Sequence, residues 1–288
     1  MKSLRRSLLF VPGNNPGMIL SAPVFGSDAI ILDLEDSVAP NQKDAARRLV
    51  SEALKTLAFG KIERVVRVNA LSTPFGEEDI KTILAAKPDT LLVPKAEPES
   101  LRRVSAMVDE MAPETGIIAL LETALGVELA YQCALVPHVN GLFLGAEDFT
   151  ADIGTSRSAE GIEISYARQR VVIAAAAARI DSVDTPYTGT EVTDEFLADV
   201  RLARKLGFTG KACISPRHVQ AVNEVFSPTQ EEIAFAQRVL EAAEEGRRRG
   251  VGAVSLDGKM IDPPIEARAR QVLMRAGLLG VEGGKRNG

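Results

Sequence analysis

The residues of this chain that could do chemistry stand where short apolar runs turn polar. Asp33, Glu35 and Asp36 follow ILDL, Arg67 and Asn69 lie in VRVNA, and Lys95 ends LLVPK. Glu122 closes IIALLE, and Glu147 and Asp148 follow LFLGA. Carboxylates dominate the set. The chain has two histidines, His138 and His218, so a zinc site or a Ser-His-Asp triad has little to draw on. Oxygen donors alone select hard cations, Mg²⁺ first and Mn²⁺ as a possible substitute. Glu122 and Asp148 end neighbouring runs and are the expected metal ligands. Mg²⁺ takes one or two carboxylates and leaves its other positions to water and substrate oxygens, so a 2-oxo or 2-hydroxy acid could chelate there. The competing reading is a rim carboxylate pair bridged by Lys or Arg. Arg67 offers a positive fork to a carboxylate or enolate oxygen, or a structural ion pair to Glu35 or Asp36; the two roles are compatible. Asp33, Glu35 and Asp36 are too many negative charges to stand unpaired, and need Arg67, Lys95 or a metal's water shell.

Eight near-continuous apolar runs carry these residues: 7–13, 29–36, 64–70, 90–97, 116–123, 141–148, 179–188 and 210–216. Such runs between helices indicate parallel strands buried on both faces. The seventh is weakest, because aspartates interrupt it. Helical patterns lie between, including 41–57 with an expected buried stripe of Ala45, Leu49, Ala53 and Leu57, then 98–111, 162–178 and 193–207. In the last of these, Thr193 is the expected N-cap and Gly207 the stop. The alternation predicts a (β/α)8 TIM barrel, of class α/β, over residues 1–226, and no GxGxxG follows the first strand. In such a barrel the strand C-termini and the loops after them form one mouth, where the polar residues named above would converge. Residues 227–276 read as a C-terminal helical extension. It has a helix entered at Ser227-Pro228, a turn in VSLDGKMID (254–262) and a last helix after Pro263-Pro264. Residues 277–288 read as a flexible tail. The stretch 149–163 after Asp148 is long for its position and reads as a mobile lid. VPGNN (11–15), with Asn14, can offer N–H groups to an anion, with Lys43 as its candidate cation.

The net charge of −5 and the lack of a basic tract with interleaved aromatics argue against nucleic acid. Arg47-Arg48 reads as a solvated helix face. Cys133 and Cys213 belong to no CxxC pair and read as buried small hydrophobes of a reducing compartment. The apolar run LLFV near the start is too short for a signal-peptide core, and no run has the length of a membrane span. A cytoplasmic protein with no membrane partner is expected.

VPGNNP, ILDLEDSV-P--K--AR, VRVN, LVPK-E, LLETA-G, LGAEDF--D-G and SLDGKMID, in this order, resemble the citrate lyase β-subunit-like family of the HpcH/HpaI aldolase superfamily, which includes malyl-CoA and citramalyl-CoA lyases. The resemblance spans roughly residues 4–270. It implies a Mg²⁺-dependent lyase acting on a 3-hydroxy-3-carboxyacyl thioester such as citramalyl-, malyl- or citryl-CoA, with a 2-oxo acid and an acyl-CoA as products. It implies that Glu122 and Asp148 bind Mg²⁺, that Arg67 holds the thioester carbonyl and its enolate, and that Asp257 is an acid/base supplied to a neighbouring subunit. Glu35 and Asp36 join the catalytic set, and Asn14, Lys43, Lys95 and Arg67 the substrate-binding set. A homotrimer or hexamer is implied. The alternatives are a malyl-CoA thioesterase, a malate synthase-like enzyme, or a citrate lyase β subunit acting on an acyl carrier protein. One departure stands out: relatives carry IHP after the eighth strand, and this chain has Ile214-Ser215-Pro216. A serine hydroxyl hydrogen-bonds but carries no charge.

Overall fold

The computed structural model describes residues 4–250 and 254–278. These fall into two compact units, one from Arg5 to Glu224 and one beginning at Val225.

In the first unit the strands β1 (Ser7–Pro12), β2 (Ala29–Asp33), β3 (Glu63–Arg67), β4 (Thr90–Val93), β5 (Gly116–Leu121), β6 (Val139–Leu144), β7 (Asp181–Asp184) and β8 (Gly210–Cys213) form a closed barrel in chain order. All are parallel, and β1 pairs with β8 to close it. The helices in chain order are α1 (Pro16–Ser21), α2 (Lys43–Thr56), α3 (Gly76–Ala85), α4 (Pro98–Met111), α5 (Ala124–Glu128), α6 (Ala130–Ala134), α7 (Ala146–Asp152), α8 (Ser165–Ala178), α9 (Asp194–Leu206) and α10 (Pro216–Phe226). The expected fold is therefore the observed one. Thr193 caps α9 and Gly207 ends it in the left-handed conformation, as the sequence reads.

The barrel interior holds Leu8, Ala29, Ile31, Val65, Ile118, Leu120, Phe143, Val183 and Ala212. Because strand side chains alternate with period two, the next inward position on each strand lies at the C-terminal mouth. Two residues beyond Ile31 comes Asp33, beyond Val65 Arg67, beyond Leu120 Glu122, beyond Phe143 Gly145, beyond Val183 Thr185 and beyond Ala212 Ile214. The register that buries the core is the same one that aims these residues at the mouth.

Charges are also buried away from the mouth. Arg5 forks onto Glu63 at 2.8 and 2.7 Å beside Asn140 and Asp181, at the N-terminal end of the strands. Asp184, on the weak seventh strand, accepts from Arg168 and from Lys211 (2.7 Å), all three nearly inaccessible to water. The aspartates that weaken the strand pattern are therefore ion-pair members, Asp184 in the core and Asp181 half-buried at the start of the strand.

Three expectations change. Arg47 is buried, not solvated: its Nε donates to Asp79 at 2.6 Å, while Arg48 stays exposed. The buried face of α2 accordingly runs through Ala46, Val50, Ala53 and Leu54, with Ala45 exposed. The start of 149–163 is helix, since α7 continues to Asp152.

The second unit contains α11 (Gln230–Arg248), an antiparallel hairpin of β9 (Val254–Leu256) and β10 (Lys259–Ile261), and α12 (Pro263–Arg275). Its core is Ala236, Val239, Ala243, Ile261, Ala269 and Leu273. The N-cap of α11 is Thr229 rather than Ser227. Thr229 and Glu232 form a reciprocal capping box that satisfies two free N–H groups. Asp257 and Gly258 both have positive φ (51° and 75°), as a two-residue hairpin turn of the I′ type needs. Most of the expected tail, residues 279–288, lies outside the described residues.

Candidate active site

A cavity of about 460 Å³ opens at the mouth of the barrel. Asp33, Asp36, Arg67, Glu122, Glu147 and Asp148 line its polar part, and Phe10, Met18, Leu120, Phe143 and Ile214 much of its apolar part.

Arg67 and Asp33 are register partners on adjacent strands. Arg67 Nε and Nη2 donate to the two Asp33 oxygens, both at 2.7 Å, in a bidentate pair. Its Nη1 lies 2.9 Å from Glu35 Oε2 and donates to Asp36 Oδ2 at 3.0 Å, and the guanidinium sits 5.0 Å from the Phe10 ring centroid. Burial favours the neutral acid at Asp33. The Arg67 fork, with the Ser37 and Glu35 N–H groups, outweighs it and holds the carboxyl below the usual carboxylate range. Glu35 goes the other way. Burial pushes it up to about 8, with Glu122, Asp36 and Asp33 adding to the rise against Arg67.

The loop carrying these acids is pinned from below. Lys43 Nζ donates to the carbonyls of Leu34 (2.8 Å) and Glu35 (2.7 Å) and is itself buried. The Asn69 amide donates to Leu34 O and to Asp79, the acid that also takes Arg47. Lys43 and Asn69 are thus bonded beneath the acidic loop, and neither lines the cavity. Asn14 donates to Gln42 at 2.5 Å and borders a separate hollow of about 190 Å³ over α2.

Across the mouth, Glu122 is almost wholly buried and burial pushes it up to about 7, against the N–H and ammonium of Lys95. Lys95 is a non-glycine residue at φ 46°, a costly conformation that turns its N–H onto Glu122 Oε1 at 2.8 Å. Its ammonium lies 3.7 Å from Glu122 and 3.9 Å from Asp148, so one positive charge already fits between the two carboxylates. Asp148 is half exposed on the first turn of α7. Gly145 makes room for the pair: a Cβ there would lie 2.7 Å from Glu122 Cβ and 2.9 Å from its Oε2. Among the described residues no three His, Cys, Asp or Glu side chains are grouped to share an ion. The donor set is two carboxylates, the number a Mg²⁺-type ion takes from a protein.

Among the expected site residues, Arg67, Asp36, Glu122 and Asp148 line the cavity, with Glu35 and Lys95 in contact with them. Asp257 belongs to the second unit, where Arg238 Nη2 donates to its Oδ1 at 2.6 Å. The histidines serve the fold. His218 is inaccessible and stacks on Phe196 at 4.1 Å, and His138 pairs with Asp109. Two mouth residues carry no clear signal in the sequence. Thr185 Oγ1 accepts from Ala146 N at the start of α7, and Arg157 donates to Glu147 and to Pro186 O. A hint for Thr185 was the run of charges before it, since a buried charge on a strand demands partners nearby.

Residues 6–216 match the family described as HpcH/HpaI aldolase/citrate lyase, and residues 162–281 match the C–C bond lyases of the TIM-barrel fold. The chain belongs to the HpcH/HpaI aldolase/citrate lyase family. It is 41% identical over 282 residues to the citrate lyase subunit beta of Leuconostoc mesenteroides subsp. cremoris, covering 95% of this chain and 93% of that one. It is 34% identical to the (3S)-malyl-CoA thioesterase of Cereibacter sphaeroides, with 94% of each covered. Among solved structures it resembles the CitE protein of Mycobacterium tuberculosis in complex with magnesium, acetoacetate and coenzyme A. That likeness has a TM-score of 0.79 and 32% identity, and covers 96% of this chain and 100% of that one. This HpcH/HpaI family member is thus of the carbon–carbon lyase type, and the described residues lining its cavity include five carboxylates and the Arg67 guanidinium. Among its described residues no helix is long and apolar enough to cross a membrane.

Proposed function

We propose that the protein is a divalent-metal-dependent lyase that splits a 3-hydroxy-3-carboxyacyl-CoA into a 2-oxo acid and an acyl-CoA. The observation that carries this is the pairing, in one cavity, of Glu122 and Asp148 on one side with Arg67 on the other. Glu122 and Asp148 would hold Mg²⁺, and the way they already share the Lys95 ammonium supports the fit. The bound ion would polarise the oxygen on C3. In the cleavage the 3-hydroxyl loses its proton, the C2–C3 bond breaks, and its electron pair passes to the thioester as an enolate that is reprotonated at C2. Arg67 faces that developing negative charge with a guanidinium whose geometry Asp33, Glu35 and Asp36 fix. Asp257, at the tip of an exposed hairpin, is the acid/base delivered to a neighbouring subunit's mouth in a trimer or a multiple of it. Lys95 contacts the substrate at the rim, and residues 153–163 close over it.

The test is NMR of products from citramalyl-, malyl- and citryl-CoA with Mg²⁺. A 2-oxo acid plus an acyl-CoA is expected, abolished in Glu122→Ala and Asp148→Ala and mostly lost in a folded Asp257→Asn. Free CoA with an intact hydroxy acid would mean a thioesterase. Turnover only of a citryl carrier protein would mean a citrate lyase subunit. Wild-type rates in Glu122→Ala or Asp148→Ala would remove the metal site.

A further inference from the structure

Asp148 stands on the first turn of α7, and that turn is fastened from another strand. The N-cap residue of α7 is Gly145, which has no side chain to take the free N–H groups of the first turn. Ser, Thr, Asp and Asn, the usual caps, are excluded there, because any Cβ would lie 2.7 Å from Glu122 Cβ. The cap comes instead from β7. This strand pairs with β6, Val183 opposite Phe143, so Gly145 and Thr185 leave the barrel side by side. Thr185 Oγ1 accepts from Ala146 N at 3.3 Å, across 39 residues of sequence. Side-chain alternation from Val183 aims Thr185 into the mouth, where it lines the cavity together with Asp148 and is 1% exposed.

Thr185 is itself held from behind. The Lys211 ammonium donates to Thr185 O and to Asp184 Oδ2, both at 2.7 Å, and lies 2.7 Å from Asp199 Oδ2. Arg168 forks onto the same Asp184. Lys211 and Asp184 are inaccessible to water, so moving the 184–185 backbone would strip partners from buried charges. A second tie runs alongside. Arg157 Nη1 joins Glu147 Oε1 at 3.2 Å to Pro186 O at 3.0 Å. Ala146 and Glu147, the two residues before Asp148, are thus both fastened to the end of β7, while Glu122 follows β5. Two carboxylates from separate strands share one ion only when their supports hold them at its bonding distances, and those supports are the groups that bond around the ligands. We propose that Thr185 is a positioning residue for Asp148: its hydroxyl caps α7 from the neighbouring strand and so sets where the Asp148 carboxylate stands relative to Glu122. This rests on the reading above that Glu122 and Asp148 hold the divalent ion.

The full-length protein is titrated with Mg²⁺ by calorimetry, with no substrate present, so that a lost substrate contact cannot enter the reading. Thr185→Val keeps the shape and removes the acceptor. Thr185→Ser keeps the acceptor and drops the methyl. Mg²⁺ should bind Thr185→Val about 10-fold more weakly than wild type, the lower end of what losing an outer support costs a metal site, and Thr185→Ser nearly as well as wild type. Thr193→Val is the control. It removes the N-cap of α9, a helix that carries no proposed ligand, so it should lower the melting temperature and leave Mg²⁺ affinity unchanged. Thr185→Ala also removes the acceptor, and carries the comparison with Thr185→Ser if Thr185→Val does not fold. Wild-type affinity in Thr185→Val, or a weakening as large in Thr185→Ser or in Thr193→Val, overturns the inference, since the hydroxyl would then not be what places Asp148. Mg²⁺ affinity left unchanged by both Glu122→Ala and Asp148→Ala overturns the metal reading instead.

Discussion

Gly145→Ala should damage the proposed metal site without touching either proposed ligand. The added Cβ would lie 2.7 Å from Glu122 Cβ, 2.9 Å from Glu122 Oε2 and 3.1 Å from Leu120 Cδ1. Carbon atoms pack at about 3.5–4.0 Å, so the first contact is short by about 1 Å. Side-chain rotation cannot relieve it, because Glu122 Cβ is fixed to the backbone of the residue after β5. The junction of β6 and α7 must move away, and Asp148 moves with it. Overpacking of this kind costs about 1–3 kcal/mol. At about 2–4 °C per kcal/mol for a protein of this size, the melting temperature should fall by about 2–12 °C. A displacement near 1 Å at reacting groups costs about 100-fold in rate. The assay combines thermal unfolding, Mg²⁺ titration by calorimetry and turnover at saturating Mg²⁺, at a temperature where the variant is fully folded. A variant with lowered melting temperature but wild-type Mg²⁺ affinity and rate would refute the link between Gly145, Glu122 and the metal. An unchanged melting temperature would refute the close approach itself.

Further outcomes follow from the buried charges. Lys211→Met leaves Asp184 and Asp199 to Arg168 alone, so urea unfolding should show a loss of about 3–5 kcal/mol, and a loss under about 1 kcal/mol would mean the cluster is slack. Asp33 is held ionised below its unfolded pKa, so its contribution is present above about pH 4 and is lost as pH falls through its folded value. The stability gap between wild type and Asp33→Asn should therefore narrow between about pH 5 and pH 2, and a gap constant with pH would contradict the Arg67 pairing. Burial pushes the thiols of Cys133 and Cys213 up to about 12, so a thiol reagent at pH 8 should label neither in the folded protein and both after denaturation. Fast labelling of the native protein would show that one of them is open to solvent.

The barrel and much of its mouth were legible before any coordinates, for two physical reasons. Strands buried on both faces must be apolar almost throughout, so ILDLED and IIALLE stood out, and the polar residue closing such a run can sit only at its end. Hence Asp33, Arg67, Glu122 and Asp148 could be named from type and position alone. The partnerships could not be read so well, because they join residues far apart in sequence. Lys43 was expected at an anion, yet it donates to the carbonyls of Leu34 and Glu35. Arg47 was expected in water, yet its buried partner Asp79 lies on the next helix, 32 residues away. Ser227-Pro228 was a plausible helix start until the Thr229–Glu232 capping box outcompeted it. Local pattern by itself determined the βα alternation, the strand ends and the acid-rich chemistry, because periodicity and burial are properties of neighbouring residues. Tertiary structure alone decided which cation meets which anion. It turned the Arg67 guanidinium onto Asp33 and Asp36, with Glu35 beside it, because ion pairing depends on distances that only closure of the barrel sets.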